Sequence, residues 1–406
     1  MRRVKSLLVI MLVILFACPA VWAKEFKIGV ALPLTGVFGK DGALVKDAYT
    51  LWSETVNAGG GITVAGVRYP VSLIFYDDMS NPQTSARLVE KLITQDKVDL
   101  LLGGFGSSQV MAASAVAERK QYPLISGAAS SNSLFERGFK YYFSTLGKAT
   151  DEVRGAAEVF FKLNPLPRTA AIVGANIPFT ALACEGFKKY ASEAGLEVVH
   201  FELFPMKLQD YNTMLEKAKA KNPDLLLVGS HVAVAMRTIK AMKEIGFSPK
   251  GVAFSYGPTV PDFVKNLGKD AEYVVAASEW TPNMAYQGPV FGKASDFHQA
   301  YLKRFGRAPD YVEAATAAGA VILQTAVQKL KVKPPVKDQD RVRIMEELHR
   351  LDMMTFYGRI HFGPHGDNVA HPPVAVQVQD GKLVNVYPPS AAESTPRYPM
   401  APWGKR

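Results

Sequence analysis

Short apolar runs alternate with longer helical stretches through most of this chain, and no other feature restricts the fold as much. The runs are β-branched or leucine-rich and have the length of strands, whereas the segments between them follow a helical pattern. The predicted strands are Lys27–Leu32, Val71–Asp77, Asp99–Gly103, Pro123–Ser126, Thr169–Gly174, Glu197–Leu203, Asp224–Gly229, Gly251–Ser255 and Tyr273–Ala277. The predicted helices are Asp41–Asn57, Pro82–Gln95, Ser107–Gln121, Asp151–Leu163, Thr180–Ala194, Tyr211–Lys221 and Val232–Gly246. This order predicts an α/β fold with parallel sheets flanked by helices.

The number of strands exceeds what one sheet of ordinary size holds, so we expect two domains. A short internal repeat supports this division, because the segment Asp99–Gly104 recurs in similar form as Asp224–Gly229. Each copy is typical of a buried strand that ends in glycine and leads into a helix. Ligands bind beyond the carboxyl ends of such strands, so two facing lobes would enclose a cleft.

After Ala277 the pattern changes to helices and then to a β segment. Helices are predicted at Gly292–Phe305, Val312–Leu330 and Asp340–Leu351, and strands at Gly358–Phe362, Val374–Asp380 and Leu383–Tyr387. Asp380-Gly381 is a typical two-residue hairpin turn. We expect the Pro-, Ser- and Ala-rich segment 389–406 to form an extended tail that lies loosely over the surface.

The first 23 residues have the layout of a secretory signal peptide. Arg2, Arg3 and Lys5 precede an apolar run, and the segment closes on Val21-Trp22-Ala23, which predicts a mature chain from Lys24 and a periplasmic location. An alternative is lipid anchoring through Cys18, which ends a segment close to a lipoprotein cleavage box. We expect the mature chain to be soluble and monomeric.

Composition and motifs argue against several other classes of protein. The formal charge of +10 is spread along the chain without a dense basic run beside aromatic residues, so nucleic acid is not expected as a partner. Cys184 is the cysteine left after cleavage, and we interpret it as a buried packing residue. His361, His365 and His371 have spacings that could bind a metal, but surface histidines are the favoured interpretation there, and we expect no metal and no cofactor. The chain contains no G-x-S-x-G elbow, P-loop or H-E-x-x-H motif, so we expect no enzyme.

Five motifs follow one another along the chain: Ile28–Gly36, Asp77-Asp78 with Asn81-Pro82, Gly103–Ser108, Ile125–Ser130 and Thr355–Phe362. In this order they resemble the type I periplasmic binding proteins of the leucine/isoleucine/valine-binding group, which serve ABC importers. The resemblance implies two lobes joined by three hinge crossings, near Thr145–Lys148, Ala277–Thr281 and Thr355–Gly358. It divides the chain into an N-terminal lobe of residues 24–146 and 280–356 and a C-terminal lobe of residues 147–279 and 357–388. It also implies that the protein closes on its ligand and that an inner-membrane permease recognises the closed form.

One wall of the expected cleft follows the strands of the N-terminal lobe. Ser107 and Ser108 open a helix whose first amides have no helical partner, and Ala128, Ala129 and Ser130 follow the next strand. A carboxylate could accept hydrogen bonds there, and the resemblance assigns these positions to the carboxylate of the ligand. The competing interpretation is that the serines only cap helices.

The opposite wall departs from the family. The resemblance places an aromatic residue at Phe179, whereas His231 stands where Tyr is usual, and Asp41, near Phe38, replaces an aromatic residue. Ser255 or Tyr256 stands where amino-acid binders carry the acid that pairs with the ligand's ammonium. Because a buried ammonium without a counter-charge is costly, we expect a carboxylate ligand without an α-amino group, either aromatic or a short oxo-acid.

Other interpretations remain open. Asp41 or Glu279 could replace the missing acid, in which case the ligand would be a branched-chain or other amino acid. His231 could donate to the ligand with a charge that changes near neutral pH, or be a hydrogen-bonded histidine at a helix start. Trp280 either lines the cleft or packs the hinge. The chain could also be a ligand sensor for a membrane receptor, or an exported hydrolase that uses Ser107.

Overall fold

The computed structural model of the protein describes residues 24–406, so the predicted signal peptide and Cys18 lie outside the described residues. The first part of the chain builds one lobe, with seven strands and three helices in the order of a parallel α/β unit. They are β1 (Phe26–Leu32), α1 (Gly39–Ala58), β2 (Ile62–Val64), β3 (Val67–Tyr69), β4 (Val71–Asp77), α2 (Pro82–Thr94), β5 (Leu100–Leu102), α3 (Ser107–Arg119), β6 (Leu124–Ser126) and β7 (Tyr142–Ser144).

The middle of the chain builds the second lobe, and the rest of it returns to the first lobe before ending on the second. The middle elements are α4 (Ala149–Glu152), α5 (Arg154–Glu158), β8 (Thr169–Ala175), α6 (Pro178–Glu193), β9 (Glu197–Phe204), α7 (Tyr211–Lys219), β10 (Leu225–Gly229), α8 (Val232–Glu244), β11 (Gly251–Phe254), α9 (Pro261–Leu267) and β12 (Val275–Ser278). The later elements are β13 (Gln287–Gly288), β14 (Gly292–Lys293), α10 (Ala294–Phe305), α11 (Tyr311–Leu330), α12 (Asp338–His349), β15 (Asp352–Met354), β16 (Arg359–His361), β17 (Val374–Gln379) and β18 (Lys382–Tyr387).

Each lobe is organised around one main sheet. The five-stranded sheet has the order β4-β1-β5-β6-β7 and is parallel throughout. The seven-stranded sheet has the order β18-β17-β12-β11-β10-β8-β9, in which β17 and β18 are antiparallel. Helices cover the faces of these sheets, which explains why inner strands such as β5, β10 and β11 are buried and apolar. The edge strands β4, β9 and β18 are half-buried and carry polar residues. The predicted two-lobed α/β fold is confirmed.

The internal repeat occupies equivalent places in the two sheets. Asp99, before β5, accepts hydrogen bonds from the backbone N–H of Lys27 at 2.9 Å and of Val336 at 2.7 Å. Asp224, before β10, accepts from the N–H of Arg168 at 2.7 Å. Each aspartate thus anchors the start of its strand to the neighbouring strand, and each strand delivers its glycine end to the cleft.

The chain passes between the lobes at three places. It leaves the first sheet between Ser144 and Ala149 and returns to the first lobe after Ser278. The segment after Gly358 differs from the prediction, because Ile360 and Phe362 pack in the core of the first lobe. We therefore place the third crossing between Asn368 and Val374, later than the expected Thr355–Gly358. That the three passages act as hinges stays a prediction.

Two contacts hold the segment around β16 on the first lobe. The Asn368 side chain donates to the carbonyl of Thr145 at 3.0 Å, and the backbone N–H of Ser144 donates to the carbonyl of Gly366 at 2.8 Å. Trp280 packs the second crossing, since it is 2% exposed and its Nε1–H donates to the carbonyl of Phe356 at 3.0 Å. Of the two interpretations of Trp280, the structure supports hinge packing.

Other differences concern short elements. Strand β7 and the small hairpins β2–β3 and β13–β14 were not expected, because pieces of two or three residues carry little periodicity. In the hairpin β15–β16, β16 lies within the predicted strand Gly358–Phe362, whereas β15 was not expected. The helix predicted at Asp151–Leu163 is broken into α4 and α5, followed by turns. The hairpin turn at Asp380-Gly381 is confirmed, and both residues have the positive φ that such turns require.

The segment 389–406 is held more firmly than expected. The buried side chain of Gln377 accepts from the backbone N–H of Arg397 at 2.8 Å and donates to its carbonyl at 3.0 Å. Met400 is buried against the second lobe, and its N–H donates to the carbonyl of Lys250 at 2.7 Å. The expectation of a loose tail was wrong, because polar side chains on the last strand pair supply hydrogen bonds to it. Among residues 24–406, no helix is both long and apolar enough to cross a membrane.

Replacing Gln377 by Ala should lower the free energy of unfolding by about 2 kcal/mol, because it leaves the tail's backbone groups unpaired. Chemical denaturation followed by circular dichroism would measure the change. The matched control is Gln83→Ala, at an exposed position on α2, which should change stability by less than about 0.5 kcal/mol. Equal effects of the two substitutions would contradict the role assigned to the tail.

Candidate functional site

A cavity lies between the lobes at the carboxyl ends of their strands, and its volume of about 20 Å³ has room for little more than a water molecule. Small-molecule sites are much larger, so a ligand would enter only if the lobes moved apart. Residues from both lobes and from the first crossing line it: Phe105, Gly106, Ser107, Ala128, Ala129, Ser130, Leu146, Glu152, Phe179, His231, Tyr256, Tyr311 and Val312. Seven of the ten predicted site residues are therefore brought together, namely Ser107, Ala128, Ala129, Ser130, Phe179, His231 and Tyr256.

The start of α3 forms one wall. Gly106 has a φ of 89°, a backbone conformation that favours glycine, and it turns the chain from β5 into the helix. The Ser107 side chain accepts a hydrogen bond from the Ser131 N–H at 3.1 Å, which leaves its own hydroxyl hydrogen available. The first amides of α3 have no helical acceptor and lie at the positive end of the helix dipole, so this wall suits an anion.

The loop after β6 lies beside this helix start. The Gly106 N–H donates to the Ala128 carbonyl at 3.0 Å, which joins the two strand ends. The Ala149 N–H donates to the Ser130 carbonyl at 2.8 Å, so the same loop also holds the first turn of α4. The small side chains of Ala128 and Ala129 leave the backbone accessible. Consequently, hydroxyl and amide donors converge on one end of the cavity.

Aromatic rings form the rest of the cavity and meet around His231. The His231 ring lies 5.2 Å from Phe38 and 5.7 Å from Phe105, both of the first lobe. It lies 5.3 Å from Phe179 and 6.0 Å from Tyr256, both of the second lobe. These rings pack the two lobes against each other across the cleft, and they offer a ligand flat apolar surfaces.

Burial decides the charge of His231. The side chain is 5% exposed, and this burial lowers its pKa to about 4. The imidazole is therefore neutral at neutral pH, which disfavours the interpretation in which its charge changes near neutrality. Its Nδ1 has no hydrogen-bond partner in the protein, which also argues against a histidine already satisfied at its helix start. The hydroxyl of Tyr256 is buried and unpartnered as well.

Three predicted site residues do not line the cavity. Ser108 is half-buried on α3, one residue beyond Ser107. Phe38 lies behind the cavity wall, where its ring contacts those of His231 and Phe105. Asp41 is buried on α1, where Oδ1 has no partner, and desolvation with the nearby Glu313 raises its pKa to about 7. Asp41 therefore lies near the cavity but does not line it.

Six lining residues were not anticipated: Phe105, Gly106, Leu146, Glu152, Tyr311 and Val312. Phe105 and Gly106 lie within the motif that contains Ser107, so their neighbourhood was a usable signal. Tyr311 and Val312 begin α11, for which Asp310 provides the N-cap, and no local pattern directs them to the cleft. Glu152 follows the first crossing and is an acid in the cavity lining, whereas the acid among the expected site residues was Asp41.

The buried acids differ in their contacts. Both oxygens of Glu152 lack a hydrogen-bond partner, and desolvation followed by repulsion from Glu279 raises its pKa well above the ordinary value. Glu279, considered as a replacement for the missing acid, is buried and accepts a hydrogen bond from the Tyr357 hydroxyl. Glu279 lies outside the lining of this cavity, so Glu152 is the acid that a ligand would meet.

The described residues offer no metal centre. Between Lys24 and Arg406, no three His, Cys, Asp or Glu side chains are grouped to hold an ion. His361 and His371 instead contact backbone carbonyls, those of Leu351 and Tyr357. Cys184 is a buried free thiol between β8, α6 and β10, as its interpretation as a packing residue requires.

Two α/β lobes that enclose a cavity between their strand ends define a two-lobed ligand-binding protein. Residues 25–382 match the family model described as periplasmic binding protein, so this chain belongs to that family. The family implies a periplasmic location, and solute-binding proteins of this kind are not enzymes.

Among curated relatives, the Leu/Ile/Val-binding protein homolog 7 of Brucella melitensis is 24% identical, with 98% of this chain and 100% of the relative covered. A branched-chain amino acid transporter substrate binding protein of Streptococcus pneumoniae, solved with isoleucine, has a TM-score of 0.76 at 20% identity and covers 89% of this chain and 98% of its own. An ABC transporter solute binding protein of R. palustris, solved with benzoate, has a TM-score of 0.78 at 18% identity, covering 89% and 95%.

The raised pKa of Asp41 predicts a pH effect on stability. Because the native state binds this proton more tightly than the unfolded chain, whose carboxyl titrates near 3.8, the contribution of Asp41 to stability falls as pH rises from about 4 to about 7. Relative to wild type, Asp41→Asn should gain up to about 4 kcal/mol between pH 4 and pH 8. Urea denaturation across this range would measure it. The free energy of unfolding of the control variant Asp262→Asn, at an exposed position, should change with pH as that of wild type does. If Asp41→Asn also keeps a constant difference from wild type between pH 4 and pH 8, the assignment is contradicted.

Proposed function

We propose that this chain is the extracytoplasmic solute-binding protein of an ABC importer and closes its lobes around a small carboxylate without an α-amino group. The observation that carries this proposal is the composition of the cavity. Hydroxyls and helix amides stand at one end, aromatic rings form the other walls, and Tyr256 occupies the wall where an amino-acid binder would carry its acid. The ligand would be an aromatic acid or a short oxo-acid.

The electrostatics support an anion bound by dipoles. None of the described lining residues is Lys or Arg, so a carboxylate would be held by the start of α3 and by the Ser107 and Ser130 hydroxyls. Phe105, Phe179 and Tyr256 would pack on the apolar part of the ligand. The R. palustris neighbour that was solved with benzoate shows that this fold can hold an aromatic carboxylate.

A branched-chain or other amino acid is the second candidate. Glu152 favours it, because an ionised carboxylate in the cavity could pair with an ammonium, and the S. pneumoniae neighbour was solved with isoleucine. The partner in either case would be an inner-membrane permease, with this protein acting as a monomer. A sensor would bind its ligand in the same way and pass the closed form to a receptor. A hydrolase built on Ser107 would need a base, and the described hydrogen bond of its Oγ is to the Ser131 amide.

Matched pairs of acids separate the two ligand classes. Phenylpyruvate or 4-methyl-2-oxopentanoate should raise the melting temperature of the mature chain, as should benzoate, whereas phenylalanine and leucine should not. A ligand at 100 times its dissociation constant stabilises by about 2.7 kcal/mol, which gives a clear thermal shift. Stabilisation by the amino acids but not by their deaminated partners would contradict the proposed ligand class. Release of product from an ester panel would reveal a hydrolase.

Ser107→Ala should weaken binding of the best acid by about 10- to 100-fold, since a hydrogen bond to a charged group contributes about 1.5–3 kcal/mol. Isothermal titration calorimetry would measure it. Ser108→Ala is the matched control, because this serine is adjacent on α3 but outside the cavity lining, and it should change the dissociation constant less than about threefold. Equal losses in both variants would argue against Ser107 as a ligand contact.

A further inference from the structure

Glu152 is the residue with a carboxyl group among those that line this cavity, so a ligand there would contact it. It closes α4, whose first residue is tied to the Ser130 carbonyl, and this contact sets Glu152 beside the hydroxyl-lined end of the cavity. The side chain is 5% exposed, and neither of its oxygens has a hydrogen-bond partner. A buried carboxyl group left without partners is costly, so the site is incomplete without a molecule that supplies them.

A second buried acid stands behind Glu152. Glu152 lines both the ligand cavity and a polar cavity behind the crossings, and Glu279 lines the latter. Burial raises the pKa of Glu279 too, but three groups oppose this rise: the nearby His371, the Tyr357 hydroxyl, which donates to Glu279, and the Gly147 amide. For Glu152, burial and repulsion from Glu279 raise the pKa, and the one group that opposes this rise is the nearby Ser130 hydroxyl. Of two buried acids that repel each other, the one with fewer donors keeps the proton, and here that acid is Glu152.

We infer that Glu152 contacts the ligand as a neutral carboxylic acid and donates a hydrogen bond to the ligand's carboxylate, so that the site selects carboxylate anions over amino acids. This inference rests on the proposed carboxylate ligand and adds the residue that decides between anion and zwitterion. An incoming anion strengthens the arrangement, because a negative charge beside Glu152 opposes its ionisation further. An ammonium would instead require Glu152 to lose its proton next to Glu279.

The inference makes binding depend on pH through the carboxyl group of Glu152. The titratable groups that face Glu152 are Glu279 after β12, Asp151 on α4, Tyr142 on β7, Tyr311 on α11 and Tyr357 after β15. Across the cavity His231 is neutral above pH 5, since its pKa is about 4. Asp41, with a pKa of about 7, also titrates nearby, so the effect of Glu152 must be isolated by substitution.

The experiment compares wild type with Glu152→Gln and Glu152→Ala, using as probe the acid from the matched panel that stabilises wild type most. Gln keeps a hydrogen-bond donor but cannot titrate, and Ala removes the donor. At pH 5.5, Glu152→Gln should bind within about threefold of wild type and Glu152→Ala about tenfold or more weakly. As pH rises to 9.5, the dissociation constant of wild type should rise more steeply than that of Glu152→Gln. Exposed Glu136→Gln is the control that should follow wild type.

Infrared difference spectra of bound minus free protein supply a second readout. Bound wild type should show the carbonyl stretch of a protonated carboxylic acid, and Glu152→Gln should lack it. The inference is overturned if that band is unchanged by Glu152→Gln, or if Glu152→Gln binds the acid as weakly as Glu152→Ala. If leucine or phenylalanine binds and Glu152→Gln abolishes that binding, Glu152 is an ammonium partner, and the proposed ligand class falls with the inference. If an acid binds tightly but its dissociation constant depends on pH in the same way in wild type and Glu152→Gln, this inference alone is overturned and the proposed ligand class stands.

Discussion

Burial of both faces of the two main sheets determines where this protein can carry chemistry. Helices cover the strands on each side, so the polar groups that remain accessible stand where strands end and helices begin. The ends of β5 and β6 supply Ser107 and Ser130, and the end of β10 supplies His231. Because the lobes face each other through these ends, contacts between them and contacts with a ligand compete for the same residues. The aromatic rings around His231 show this directly, since they join the lobes and also form the cavity walls.

Neutral groups dominate the interior of the cleft, and this has an electrostatic reason. His231 is too deeply buried to be cationic, and no Lys or Arg lines the described cavity. An anion would therefore be stabilised by oriented dipoles, which were already desolvated and arranged during folding. Such a site changes its net charge when the ligand enters, so protons held by neighbouring acids become part of the binding equilibrium. Two such acids are Asp41 on α1 and Glu152 on α4, and the pKa of each is raised by burial.

Periodicity and turn chemistry predicted much of this structure, because apolar strands, glycine ends and helix starts are local properties. The two-lobed fold, the hairpin at Asp380-Gly381 and the convergence of Ser107 with Ser130 followed from them. Residues that reach the cleft through long-range packing could not be found in this way. Glu152 follows a short broken helix, and its role depends on a contact with Ser130 and a neighbour at Glu279. The third crossing was misplaced for the same reason, since only packing against the first lobe reveals where Ile360 and Phe362 belong.

The split of the second lobe has a consequence for how the protein acquires its shape. Its sheet is begun by β8–β12 but gains β17 and β18 only after the chain has returned to the first lobe, and residues 395–400 then bind its surface. Synthesis proceeds from the amino terminus, so the first sheet has all five of its strands more than 200 residues before the second sheet can be finished. Until β17 is made, β12 is an edge strand without a pairing partner on that side, so the second lobe depends on the last part of the chain to cover this edge.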